Sequence, residues 1–197
     1  MSSNAVFKFW LENEYFDMET RNELNSIKDN PDEIEERFYK DLEFGTGGLR
    51  GIIGAGTNRM NIYSVRKATQ GLADYVNSRG MADSGVVIAH DSRRKSPEFA
   101  LEVAKVFTGN GIKVYLFDEL RPTPELSFAV RHLKAAAGVM VTASHNPKEY
   151  NGYKVYGEDG GQLPIEASNE VLSYIGRIED ITKIKTMEKD EAIEKGL

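Results

Sequence analysis

Cysteine is absent from the 197 residues of this chain, so neither a disulfide framework nor a thiolate metal site is open to it. There is one tryptophan, and basic charge is not in excess: 25 Lys and Arg stand against 31 Asp and Glu, giving a formal net charge of −6. A nucleic-acid or anionic-membrane binder would ordinarily show a basic face, so that class of partner is disfavoured. No apolar run approaches the ~18 residues that a membrane span needs. The opening Met-Ser-Ser-Asn-Ala-Val-Phe-Lys-Phe-Trp-Leu-Glu also lacks the long apolar stretch of an export signal. A cytoplasmic protein with no membrane or nucleic-acid partner is the expectation. No internal repeat or low-complexity segment stands out. The chain does have 40% hydrophobic residues in Leu/Ile/Val runs spread along it, enough to bury a sizeable core in one domain.

Residues 1–43 are charge-rich and helical in pattern. Asn30-Pro31-Asp32-Glu33 is a helix start, with Asn as cap, Pro in the first turn and Glu three residues on. Ile34, Phe38 and Leu42 then recur every four residues as one apolar stripe. A glycine-rich loop, 45–51, ends this element. Beyond it helices and strands alternate. Helix is expected over 61–79, from 96 to the glycines at 109 and 111, over 123–133, and from 164 to about 179. Short apolar runs predict strands at 85–89, 112–117, 137–142 and 153–156. This rhythm implies an α/β fold built of right-handed βαβ units, a three-layer α/β/α sandwich with a mixed, mostly parallel sheet. Residues 1–43 form an N-terminal helical extension, 44–180 the main domain, and the weakly patterned, charged 181–197 a linker.

The stretch 142–156, Thr-Ala-Ser-His-Asn-Pro-Lys-Glu-Tyr-Asn-Gly-Tyr-Lys-Val-Tyr, carries the most chemistry. Ser144 ends an apolar run, His145 follows at once, and Lys154 lies on the next extended segment. A hydroxyl becomes a nucleophile only beside a base and cations. A phosphoserine, with about −1.5 to −2 charges, needs the same cationic surroundings. His145 reads either as a base or as a group that positions a phosphate, and Lys154 either as an acid/base or as a solvated charge. Arg50 sits among glycines that let backbone approach a ligand, where a guanidinium can grip phosphate in a bidentate fashion. Arg93, in Asp91-Ser92-Arg93, could bind phosphate or pair within its own loop. Asn146 and Pro147 shape the turn, since proline forbids helix before it. In α/β sheets ligands collect at the carboxyl ends of strands, which would bring residues 90–93 and Ser144 together. The glycines at 45, 47, 48 and 51 lack the Gly-Lys-Ser/Thr ending of a nucleotide-binding P-loop.

Thr142-Ala143-Ser144-His145-Asn146-Pro147 with Tyr150-Asn151-Gly152-Tyr153-Lys154 resembles the phosphoserine loop of the α-D-phosphohexomutases. Phe44-Gly45-Thr46-Gly47-Gly48-Leu49-Arg50-Gly51 resembles that family's arginine loop, and Ala89-His90-Asp91-Ser92-Arg93 its Asp-Ser/Thr-Arg element. Trp10 and Arg37-Phe38 are similar to the phosphoglucomutase-2/phosphopentomutase branch. The resemblance implies the first of four domains of a mutase. Such an enzyme interconverts sugar 1- and 6-phosphates through phospho-Ser144 and a bisphosphate such as glucose 1,6-bisphosphate. It implies catalytic Ser144, His145, Lys154 and Arg50, phosphate binding by Arg50, Arg93 and Asn146, and Mg²⁺ bound through the Ser144 phosphate.

The family's alternating-aspartate metal loop, its sugar-selecting loop and its C-terminal phosphate loop do not occur in this sequence. Gly157-Glu158-Asp159-Gly160-Gly161 has adjacent rather than alternating acids and reads as a turn. The resemblance therefore implies that domains II–IV must complete the enzyme and that this chain alone is inactive. Phosphomannomutase, phosphopentomutase, a non-catalytic phosphosugar-binding module and a phosphate-binding α/β domain of unrelated chemistry are the alternatives.

Overall fold

The computed structural model describes residues 2–197. Three short helices, α1 (Ser3–Glu12), α2 (Met18–Ser26) and α3 (Pro31–Phe38), come first. Asn30 caps α3 as its sequence implies, its Oδ1 accepting from the Glu33 amide at 3.2 Å. The Glu33 carboxylate turns instead to Arg37 Nε at 2.8 Å. The apolar stripe outlasts the helix: α3 stops at Phe38, and Leu42 lies beyond it, packed on the main core. Phe7, Trp10, Phe16, Leu24, Ile34 and Phe38 bury themselves together with Tyr63 of the next helix. Trp10 stacks on Phe16 with ring centroids 4.3 Å apart. Each such buried side chain contributes roughly 1.5–3 kcal/mol, and Tyr63 ties the extension to the rest of the domain.

The sheet contains β1 (Phe44–Gly45), β2 (Gly48–Ile52), β3 (Val86–His90), β4 (Val114–Leu116), β5 (Ala137–Val141) and β6 (Tyr150–Gly157), in the spatial order β1-β2-β6-β5-β3-β4. It is mixed: β3 pairs in parallel with β4 and β5, whereas β6 runs antiparallel to both β5 and β2. Strands β2, β3, β4 and β5 therefore point one way and β1 and β6 the other. Helices α4 (Ile62–Ser78), α5 (Ser96–Gly109) and α7 (Ile165–Ile175) cover one face, and α6 (Thr123–Leu133) covers part of the other. The expected three-layer sandwich is present.

Helix α4 starts at a capping box between Asn61 and Ser64 and buries Val65, Ala68, Leu72 and Val76, the stripe its periodicity predicts. The main core forms where α4, α5 and α7 meet Leu49, Ile88, Val139, Val141, Tyr153 and Val155. A smaller cluster under α6 contains Val87, Ala89, Leu126, Val130, Met140 and Tyr156. Helix α6 packs on β3 and β5 and reaches β6 at Tyr156, which leaves the same face of β2 and of the first part of β6 outside its cover.

The sheet is less parallel than expected, with three antiparallel and two parallel strand pairings, and α7 ends at Ile175 rather than near 179. Further differences lie in three segments. The glycine-rich segment 45–51 is not a loop: β1 and β2 form a strand pair within it. Only Leu49 there offers a large inward side chain, so alternation could not reveal the strand, and its pairing with β6 supplies the order. Strand β6 begins at Tyr150, earlier than its apolar residues suggest, because Tyr150, Asn151 and Gly152 pair with Ile52, Gly51 and Arg50. Residues 181–197 contain a short 3₁₀ turn, Ile181–Lys183, and a helix, α8 (Lys189–Glu194). This tail lies against α5, where the Met187 amide donates to Lys105 O at 2.9 Å and Lys105 Nζ pairs with Glu188 at 2.9 Å.

Candidate active site

The parallel strands β3 and β5 end side by side, His90 opposite Val141. Asp91 and Thr142 are the next residues on each, and Thr142 Oγ1 donates to Asp91 Oδ2 at 2.6 Å. The same threonine hydroxyl accepts from the Ser144 amide at 3.0 Å. Asp91 Oδ1 accepts from the Arg93 amide and from the Ser96 hydroxyl, each at 2.9 Å. Asn151, fully buried on β6, donates to Arg94 O and to Ser96 Oγ at 2.9 Å each. The loops after β3 and β5 are thus stitched together, and the topological inference that they meet holds.

Ser144 is exposed and lies in the left-handed region with φ 54°. That conformation costs a non-glycine residue about 1–2 kcal/mol, and strain of this kind concentrates at functional sites. Its Oγ lies 3.3 Å from His145 Nδ1, within reach of the hydroxyl proton. His145 is exposed as well. Asn146 is half-buried, with its Oδ1 enclosed and without a hydrogen-bond partner.

Alternation along the strands places the two candidate cations. Leu49 and Tyr153 both enter the main core, so Arg50 and Lys154, one residue further on, face the other way. Their face is the one α6 leaves open. In the antiparallel register Arg50 is opposite Gly152, and Gly152 O accepts from the Thr142 amide at 3.0 Å. Lys154 sits between Gly48 and Met140 in the adjacent row. Arg50 is exposed and Lys154 half-buried, and among the described residues neither takes part in an ion pair. Arg50 and Lys154 thus put two cations without ion-pair partners among the described residues on one face of the sheet, and such a face is receptive to anions.

Arg93 is differently placed. Its Nη1 donates to Pro147 O at 2.9 Å and Tyr150 O at 3.1 Å, and its Nη2 to Ser144 O at 2.8 Å and Asn146 O at 2.6 Å. Its Nε lies 3.7 Å from Asp91 Oδ2. Sequence reasoning quoted Asp91, Thr142 and Asn151 within motifs without giving them a role. Their side chains act through hydrogen bonds across loops, which one-dimensional spacing does not display.

Among the described residues no group of three or more His, Asp or Glu side chains is placed to hold a metal ion. Asp91 is engaged by Thr142, Ser96 and the Arg93 amide. The described side chains do not by themselves make a metal site; a phosphate on Ser144 would add one oxygen ligand. A cavity of about 480 Å³, lined by Trp10, Leu42, Phe44, Leu49, Tyr63 and Ile175 among others, opens on the opposite side of the sheet. It is mostly apolar, although Asp41, Glu43 and Lys67 also line it, and it shares no residue with this site.

The sequence profile described as "Phosphoglucomutase/phosphomannomutase, alpha/beta/alpha domain I" matches residues 41–182. A phosphoglucomutase of Staphylococcus epidermidis is 51% identical over 147 residues, 75% of this chain and 27% of its own length. One from Staphylococcus saprophyticus is 42% identical over 194 residues, 95% of this chain and 33% of its own length. The chain thus spans about a third or less of these relatives. A provisionally assigned phosphomannomutase from Thermus thermophilus superposes with a TM-score of 0.66 at 33% identity, over 76% of this chain and 32% of the other. The profile's matched span takes in β1 through β6, with Arg50, Asp91 and Ser144, and the chain belongs to the phosphoglucomutase/phosphomannomutase family through that family's α/β/α domain I.

Proposed function

We propose that this domain carries the travelling phosphoryl group of a phosphosugar mutase on Ser144. The observation that supports this most is the exposed, left-handed Ser144 just after the end of β5, its Oγ 3.3 Å from His145 Nδ1. In the proposed reaction a sugar hydroxyl of a 1- or 6-phosphate attacks phospho-Ser144. The new O–P bond forms as the Ser144 Oγ–P bond breaks, and the sugar's proton is taken up as the serine oxygen is released. The resulting bisphosphate reorients and returns its other phosphate to Ser144 by the reverse step.

Lys154 is the proton carrier in this proposal, and His145 orients the serine hydroxyl. Arg50 grips phosphate, because a guanidinium offers paired donors in the plane of two phosphate oxygens. Asn146, with its enclosed Oδ1, shapes the loop that presents the serine. Bound Mg²⁺ would neutralise charge on the transferring group, with the Ser144 phosphate as the ligand this chain supplies. Residues 44–180 form the phosphoserine domain, 1–43 its extension and 181–197 a linker. Domains II–IV of the relatives would complete the site, and the isolated chain would be inactive. Glucose phosphate is the proposed substrate, by resemblance to the phosphoglucomutase-2/phosphopentomutase branch. Mannose and ribose phosphates are the alternatives, and the setting is cytoplasmic.

The test uses protein purified from its own cells. Phosphopeptide mass spectrometry should find phosphate on Ser144, and a coupled assay should show glucose 1-phosphate converted to glucose 6-phosphate. An unmodified serine together with an active Ser144→Ala variant would remove the carrier assignment. Phosphosugar binding without turnover would make the domain a binding module.

A further inference from the structure

The four terminal N–H bonds of Arg93 reach four carbonyls, those of Ser144, Asn146 and Pro147 in one loop and that of Tyr150 where the loop enters β6. We infer that Arg93 is the positioning residue of the Ser144 loop: it acts by gathering these carbonyls onto one guanidinium, without touching phosphate. The inference rests on the phosphoryl-carrier reading of Ser144.

Two physical consequences follow from the geometry. Carbonyl oxygens are the negative ends of peptide dipoles, and oxygens turned toward Ser144 Oγ would repel a phosphate dianion there. Drawing the Ser144 and Asn146 oxygens to Arg93, at 2.8 and 2.6 Å, turns them toward a cation instead. The same contacts fix the carbonyl that follows the left-handed residue, while Thr142 Oγ1 holds the amide before it at 3.0 Å. Both peptide groups of Ser144 are therefore tied down and its side chain is presented outward. The clamp is itself anchored: Asp91 accepts from the Arg93 amide at 2.9 Å and lies beside Nε at 3.7 Å.

Lysine cannot replace this arrangement. Its donors radiate from one tetrahedral nitrogen, whereas guanidinium presents its donors as a rigid planar fork. An arginine that bound the substrate's phosphate would show its loss first as a raised KM, whereas loss of a loop clamp shows in the transfer rate.

The experiment compares wild type, Arg93→Ala and Arg93→Lys in the protein from its own cells. Readouts are the rate of phosphate transfer from ³²P-labelled glucose 1,6-bisphosphate to Ser144, the KM for glucose 1-phosphate, and amide hydrogen exchange. Both variants should lower the transfer rate about 100-fold with KM little changed, as expected when a reacting group is misplaced by about 1 Å. Added methylguanidinium should restore Arg93→Ala by about tenfold or more, recovering part of that positioning. Amides of residues 144–150 should exchange about tenfold faster in both variants while those of α4 keep their protection. An Arg93→Lys enzyme within about threefold of wild type, or a raised KM at unchanged kcat, would overturn the inference. Should Arg93→Ala fail to fold, Arg93→Lys alone decides. Absence of label on wild-type Ser144 would instead refute the carrier reading, with the exchange contrast still reporting on the clamp.

Discussion

Thr142 and Asp91 face each other one residue beyond the paired ends of β5 and β3, joined by a hydrogen bond of 2.6 Å. Thr142 is 6% exposed and Asp91 half-buried, so the bond is partly shielded from water. Thr142→Val keeps the shape while removing a donor to Asp91 and an acceptor for the Ser144 amide. Groups left unsatisfied in this way cost about 1–3 kcal/mol. Urea denaturation should show a loss of that size, and an unchanged midpoint would mean that water or a local shift takes over both bonds.

Ser144 is the second place where the loop stores energy. Glycine suits φ 54° and alanine does not. Ser144→Gly should therefore be more stable than Ser144→Ala by about 1 kcal/mol, measurable by chemical denaturation, although neither can carry phosphate. Equal stabilities would show that the loop relaxes out of the left-handed region once the hydroxyl is gone.

Gly152 lies between the strand carrying Arg50 and the end of β5. A Cβ there would sit 2.6 Å from Thr142 O and 2.9 Å from Leu49 O. Both neighbours are backbone, so neither can swing aside. Gly152→Ala should destabilise the domain by about 1–3 kcal/mol, the usual range for overpacking, and should shift the amide resonances of Arg50 and Ser144. Wild-type stability in this variant would contradict the close approach of the three strands.

The link between the extension and α4 predicts a pH dependence. Tyr63 Oη accepts from the Asp17 amide at 2.7 Å and donates to Asp17 Oδ2 at 2.9 Å. Burial, reinforced by the Asp17 carboxylate, pushes the Tyr63 hydroxyl up to about 12. Burial opposes ionisation of Asp17 too, but hydrogen bonds from Thr20 and Tyr63 prevail and hold its carboxyl below the usual 3.8. A raised tyrosine stabilises the fold below its unfolded value near 10, and that contribution disappears as pH climbs through the folded value. A depressed carboxylate stabilises above its unfolded value and ceases to do so as pH falls through the folded one. Urea midpoints should thus fall at both ends of the range. Tyr63→Phe should cost about 1–3 kcal/mol at neutral pH and flatten the alkaline fall, with absorbance at the tyrosinate band as the check. An unaltered alkaline limb would dissociate Tyr63 from it.

Much of the architecture was legible in the chain. The stripe on α4 reads directly as Val65, Ala68, Leu72 and Val76, all buried, because helix period and burial reinforce each other there. Helix α6 begins at Thr123 and ends at Leu133 where its proline and its apolar pattern place the ends. By contrast β2 was hidden, since a strand of Gly, Leu, Arg, Gly and Ile has little propensity of its own and exists through its partner β6. The motif around Ser144 marked the right loop, and the residues that hold the loop in shape were named only as neighbours in sequence.

The amino-acid order alone therefore determined where most helices form, α8 excepted, where Ser144, Arg50 and Lys154 lie along the chain, and what chemistry those side chains are capable of. Local periodicity, caps and residue type are properties of short stretches, so they survive without a fold. Tertiary structure decided that Arg50 stands on a strand, that it shares an open face with Lys154, and that Arg93 turns inward to four carbonyls. Those outcomes depend on which strands become neighbours and on which face a helix leaves uncovered. Both follow from packing between residues far apart in the sequence.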